Sequence, residues 1–192
     1  MKRIACGVIL ACASGQALAH SPIAGLGDFY NGLLHPLLVT EHLIGVAALA
    51  LCLGQHSITV IRQGLFAFLA GMLLALFLPV MGQAVTGSVF LVLIGFCCGA
   101  LALGRPLPDR LGVLLAALVG CFIGLDSFGD AGPGWLLPAG MFLGVGLLFL
   151  YLTRLGTTLQ RPWQHIVRRI LGAWGSASIL LVLVLQTTIV SG

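Results

Sequence analysis

The sequence predicts an all-α integral membrane protein, a bundle of six transmembrane helices behind a cleaved signal peptide. Three observations carry that prediction. Of 192 residues, 59% are hydrophobic and only 7% charged, at a mean hydropathy of +1.14, whereas a soluble surface draws about a quarter of its composition from charged residues. The apolar residues fall into stretches near the ~20 residues that a spanning helix needs. Every arginine beyond Arg3 falls in connections on one side of the layout. A soluble enzyme is excluded by this composition, and nucleic-acid binding lacks a basic patch.

The first element is residues 1–19. Lys2 and Arg3, an apolar run from Ile4 to Ser14 and Ala17-Leu18-Ala19 follow the order of n-region, h-region and A-x-A cleavage site. The run is too short to span ~30 Å of hydrocarbon. Residues 20–192 then form the six-helix domain, with stretches at 36–55, 63–81, 84–104, 111–128, 134–152 and 170–190. Between them lie loops with breakers and charges: Gln55 to Arg62, Arg105 to Arg110, Gly129 to Pro133, and Arg154 to Arg169. Cleavage places His20 outside, and alternation puts Arg62, Arg105, Arg110, Arg154, Arg161, Arg168 and Arg169 in the cytoplasm. Asp28, Asp126 and Asp130 lie in the outer connections, as the positive-inside rule requires. Cys6 and Cys12 leave with the signal. Cys52, Cys97, Cys98 and Cys121 lie in apolar stretches with no C-x-x-C pair, so neither a disulfide framework nor a zinc ribbon is expected. The spacings Gly95/Gly99, Gly120/Gly124 and Gly140/Gly144 offer small-residue grooves for close helix packing.

The first span carries the chemistry. It reads His35-Pro36-Leu37-Leu38-Val39-Thr40-Glu41-His42, and ionisable groups at membrane depth are costly unless they face a partner or a wet cavity. Pro36 suits a first helical turn, leaving His35 at the outer mouth. Seven residues return to within about 20° on a helix but rise about 10 Å. On a regular helix His35 and His42 therefore share a face and are too far apart to hold one ion at the ~2 Å of an imidazole bond. Either the helix start is unwound and His35 folds back to His42, or the two are successive stations for a passing ion. The regular helix favours stations, with Glu41 reaching the same ion or orienting His42.

Imidazole with carboxylate suits Ni²⁺, Co²⁺, Zn²⁺ or Cu²⁺ and disfavours Ca²⁺, so His35, Glu41 and His42 are the candidate metal ligands. Weaker candidates are His20, whose amine and ring would chelate after cleavage, His56, more often a loop histidine at an interface than an exit station in the series 35, 42, 49, 56, and Asp126. Only fifteen residues separate Arg110 from Asp126, so that acid is either drawn toward a cavity lined by the first span or is an ordinary loop acid on a tilted neighbour. Met72, Met81 and Gln83 are possible further ligands, or apolar filler in the case of the methionines. Serine proteolysis lacks a histidine on a facing helix and haem lacks histidines at matched depth, so no enzyme and no organic cofactor are expected.

A signal ending Ala-Leu-Ala-His, a Gly/aromatic lead-in at Gly25 to Gly32, His-Pro and a carboxylate-His pair in the first of six spans resemble the HupE/UreJ family of hydrogenase and urease accessory membrane proteins. The family pattern H-P-x-x-G-x-D-H-x-L-A is met at His35, Pro36 and His42, with Glu41 in place of aspartate and Val39 in place of glycine. The resemblance implies uptake of nickel, or cobalt, across a bacterial inner membrane to supply a metalloenzyme, while the signal pattern and the one-sided arginines put both termini on the periplasmic side. It also implies maturation proteins or a metallochaperone as partners. The alternative it leaves open is an accessory protein that binds metal and hands it over without transport.

Cleavage after Ala19 should make N-terminal sequencing read His-Ser-Pro, and a C-terminal reporter should be active only outside the cytoplasm. A chain that retains Lys2 would overturn this topology.

Overall fold

The structure, a computed structural model, describes residues 23, 25–75, 78, 83–129, 134–159 and 161–190. The expected signal peptide, His20, Met81 and Asp130 lie outside the described residues. Every regular element described is an α-helix: α1 Asp28–Leu38, α2 Thr40–Leu53, α3 Ile58–Ala75, α4 Gln83–Leu103, α5 Asp109–Gly129, α6 Leu136–Thr158 and α7 Pro162–Val190. In hydrocarbon a backbone polar group without a partner costs several kcal/mol, and a helix satisfies these groups within one segment.

Four of these helices, α3, α5, α6 and α7, are long and apolar enough to cross a membrane, and α1 and α2 meet the same test only together, as a pair bent by 68° at the break between them. The apolar part of α4, Gly87–Leu103, is shorter. The first span thus departs from the expected regular helix over 36–55. It begins eight residues earlier, so Pro36 sits late in α1 instead of in a first turn. Proline removes the N–H that would bond Gly32, and at Val39 the chain becomes extended, with φ −88° and ψ 104°. Val39 nevertheless keeps its backbone bonds, its N–H donating to His35 O at 3.0 Å and its carbonyl accepting from Leu43 at 3.1 Å. The long loop expected at Arg154 to Arg169 is also mostly helical. Pro162 opens α7 at a first-turn position, and the Gln164 side-chain oxygen accepts the Arg161 N–H at 2.9 Å, the reach-back half of a capping box.

Helix α2 runs through the centre, against α6, α4, α5 and α1. Its Val46, Leu49 and Leu53 are wholly buried. They join a core in which the Phe68 and Phe149 rings stack at 4.7 Å. The principal pairings are α3 on α5, α1 on α6 and α4 on α7, and each passes over glycine. A Cβ at Gly140 would collide with the Phe29 carbonyl, at Gly120 with the Phe68 carbonyl, and at Gly172 with Cys98 O and Ala102 N, both 2.6 Å away. The pairs 120/124 and 140/144 serve as expected. Gly99 does not, having nothing within 4 Å. Lipid tails are as apolar as leucine side chains, so close backbone approach supplies the association. The outer faces stay apolar and exposed, as at Phe66, Leu147 and Leu181. Cys52, Cys97, Cys98 and Cys121 are free thiols.

The arginine-bearing connections meet at one end. His56, after α2, contacts Leu107 between α4 and α5. Gly54 abuts Gly156 near the end of α6, and Arg169 Nε donates to Ala102 O at 3.1 Å. Arg169 also lies over Gly104, whose φ of +68° is the left-handed stop common after a helix.

Gly140→Val should lower stability by about 1–3 kcal/mol through overpacking at the α1–α6 crossing. Gly99→Ala should be neutral or raise it by about 0.5–1 kcal/mol. Thermal unfolding of both variants in one detergent checks the pair, and equal effects would refute the assignment of the crossing.

Candidate functional site

At the end opposite the arginines, the break after α1 decides the geometry. Turning the axis at Val39 folds His35 back over the start of α2, and the His35 and His42 rings lie 5.3 Å apart, centroid to centroid, tilted by 53°. The two stations of a regular helix become two neighbours. Asn31 secures the approach: its Oδ1 accepts the Ile23 N–H at 2.7 Å and its Nδ2 donates to Ile23 O at 3.3 Å.

His42 is 0% exposed. Its Nε2 lies 3.0 Å from Oδ2 of Asp126, near the end of α5, so the short fourth span does draw its acid to the first. The separation suits an ion pair, and neither His42 nitrogen has a hydrogen bond. Phe90 of α4 closes another side, its ring edge-on to His42 at 5.8 Å, and Gly45 leaves the room that Phe90 and Ile94 occupy. Sequence reasoning missed Phe90, which looks like any other apolar residue of α4. Ser127, beside Asp126, is buried with an unbonded Oγ.

The remaining candidates lie elsewhere. Glu41 is exposed in the first turn of α2, away from the buried ring of its neighbour. Met72 is wholly buried in the apolar core. Gln83 starts α4. His56 sits at the arginine-bearing end, with Nδ1 3.1 Å from Cys52 O and Nε2 2.6 Å from Leu107 O, and Asp109 Oδ1 at 3.8 Å. Both its nitrogens are turned to carbonyl oxygens, so this ring ties α2 to the next connection. Among the described residues no three His, Cys, Asp or Glu side chains converge as a finished ligand shell.

A buried imidazole without a hydrogen bond leaves polar atoms unsatisfied at about 1–3 kcal/mol each. Such a group beside a second imidazole and a carboxylate is a place where a soft-to-borderline cation gains more than water would.

Comparison with known proteins matches residues 8–185 to the family model described as HupE / UreJ protein. The match covers nearly the whole chain, and the chain belongs to this family of membrane accessory and transport proteins. No curated protein and no solved structure matches it.

A double-mutant cycle on His42→Ala and Asp126→Ala, read by thermal unfolding, should return a coupling of about 0.5–3 kcal/mol, the range for residues in contact. Strict additivity would mean that the pair does not interact.

Proposed function

We propose that this HupE/UreJ member carries a divalent transition metal, nickel foremost and cobalt next, inward across a bacterial inner membrane to supply a metalloenzyme. In this reading six spans cross the bilayer, the bent α1–α2 pair counting as one, with both termini periplasmic and the arginines cytoplasmic. The observation that carries it is the buried His42 imidazole, unbonded at both nitrogens, between His35 and Asp126.

His35 and His42 are then the ligands. Rings at this separation are within reach of one ion held at ~2.0–2.1 Å from each nitrogen. Asp126 adds carboxylate charge, either on the ion or through His42, which it orients. Glu41, exposed at the mouth, raises the local cation concentration and passes the ion to the pair. Nickel is chosen over zinc or copper on family membership, because imidazole and carboxylate accept all of them.

A second reading, that the protein holds metal and hands it to a maturation partner without transport, is favoured by one feature. Beyond His42 the bundle is closed by Val46, Leu49 and Leu53, each 0% exposed. Uptake of radioactive nickel into sealed vesicles separates the two, since the accessory reading requires binding without accumulation.

In nickel-starved cells His42→Ala should abolish uptake with the protein still in the membrane. Asp126→Asn should weaken it by about 10- to 100-fold, the range for a residue that orients a ligand. Glu41→Asp should retain partial activity, and His56→Ala should do much less than His42→Ala. Uptake at the parental rate by the combined His35→Ala and His42→Ala variant would refute the site.

A further inference from the structure

On the side of α2 that faces away from His42, the bundle has an opening that metal binding does not use. A cavity of about 290 Å³ lies between α2, α4 and α7, walled by Ile44, Ala47, Leu51, Leu101, Leu171 and Trp174. At about 100° per residue, Ile44, Ala47 and Leu51 fall within about 40° of the point opposite His42. The cavity exists because α7 is held to α4 by the Gly172 contact with Cys98 and Ala102 and touches α2 only slightly. Only 11% of its membrane-spanning window is buried. Walls of this kind give water few hydrogen-bond partners, so the space suits hydrocarbon.

The chemistry changes along α7. Arg161, His165, Arg168, Leu171 and Gly175 recur at spacings of four, three, three and four, and so share one side of the helix. Arg168, one turn below the cavity, is 4% exposed, and its Nη2 contacts Nδ1 of His165. Leu171 and Gly175 of this same side line the cavity, which places Arg168 at its arginine-bearing edge. Among the described residues, Asp109 on α5 is the single acid at this end of the bundle. From the arginine-bearing end inward, the crevice is thus cationic and then apolar, the order of an anionic head followed by an acyl chain.

We infer that this crevice is a binding site for one anionic phospholipid, its acyl chain in the α2–α4–α7 cavity and its phosphate on Arg168. The ligand is the lipid, not free phosphate, because the apolar cavity makes up most of the site. It lies on the far side of α2 from His42, so it anchors α7 without sharing residues with the metal site.

Native mass spectrometry on delipidated full-length protein tests this with three probes: phosphatidylglycerol, phosphatidylcholine of the same chains, and glycerol phosphate. The parent should retain one phosphatidylglycerol per chain, at least about fivefold more readily than phosphatidylcholine. That factor corresponds to about 1 kcal/mol for one arginine near the headgroups, at 1.4 kcal/mol per tenfold. Arg168→Gln should erase the preference and Arg168→Lys should keep it. Ser178→Trp, at an exposed position lining the cavity, should lose both lipids while keeping nickel binding, which shows that the variant is folded. Equal retention of the two lipids by the parent, unchanged retention by Ser178→Trp, glycerol phosphate bound as tightly as lipid, or a lipid-free dimer closed over this face would each overturn the proposal.

Discussion

In a bilayer core no water is present to satisfy a stranded N–H, carbonyl or charge, and the architecture of this protein follows from that penalty. It makes every regular element described a helix. It moves the arginines to one end, and it leaves glycine contacts to bring the helices together where burial of leucine against leucine would gain little over lipid. The backbone-to-backbone crossings at Gly140, Gly120 and Gly172 are the joints of the bundle. The break at Val39, within the first span, keeps both of its backbone hydrogen bonds, which is why it is tolerated.

The same penalty makes the polar exceptions informative. At the arginine-bearing end they are tied off: His56 faces two carbonyl oxygens, and Arg169 serves the end of α4. At the other end His42 is fully buried with neither nitrogen hydrogen-bonded, held beside a carboxylate and a second imidazole. Two histidines of the same series, 42 and 56, therefore have opposite fates. What separates them is which neighbouring element supplies oxygen atoms: the α4–α5 connection brings a carbonyl to His56, while α4 brings the ring of Phe90 to His42.

A division of labour between the two faces of α2 follows. One face carries the imidazole and meets α5 through Asp126. The other meets the cavity beneath α7 with Ile44, Ala47 and Leu51. A central helix used on both sides must be held by its flanks, and the contact of Gly54 with Gly156 at one end and the fold of α1 onto α6 at the other supply that hold.

Much of this was legible in the residues themselves. Hydropathy and length marked the helices, the arginines sorted the connections, and the motif His35-Pro36 with Glu41-His42 named both the family and the place to look, because the cost of an ionisable group in lipid is a property of the residue and its span. The short fourth span even pointed Asp126 toward the first. Which groups meet was decided only by tertiary structure. On a regular helix His35 and His42 are about 10 Å apart along the axis; a change of backbone at Val39, invisible in hydropathy, turns the axis by 68° and brings the two rings together, centroids 5.3 Å apart. Glu41 and His42 are adjacent in sequence, yet one is exposed and the other wholly buried. Burial depends on which helix packs against which face, and that is settled by contacts between segments distant in the chain.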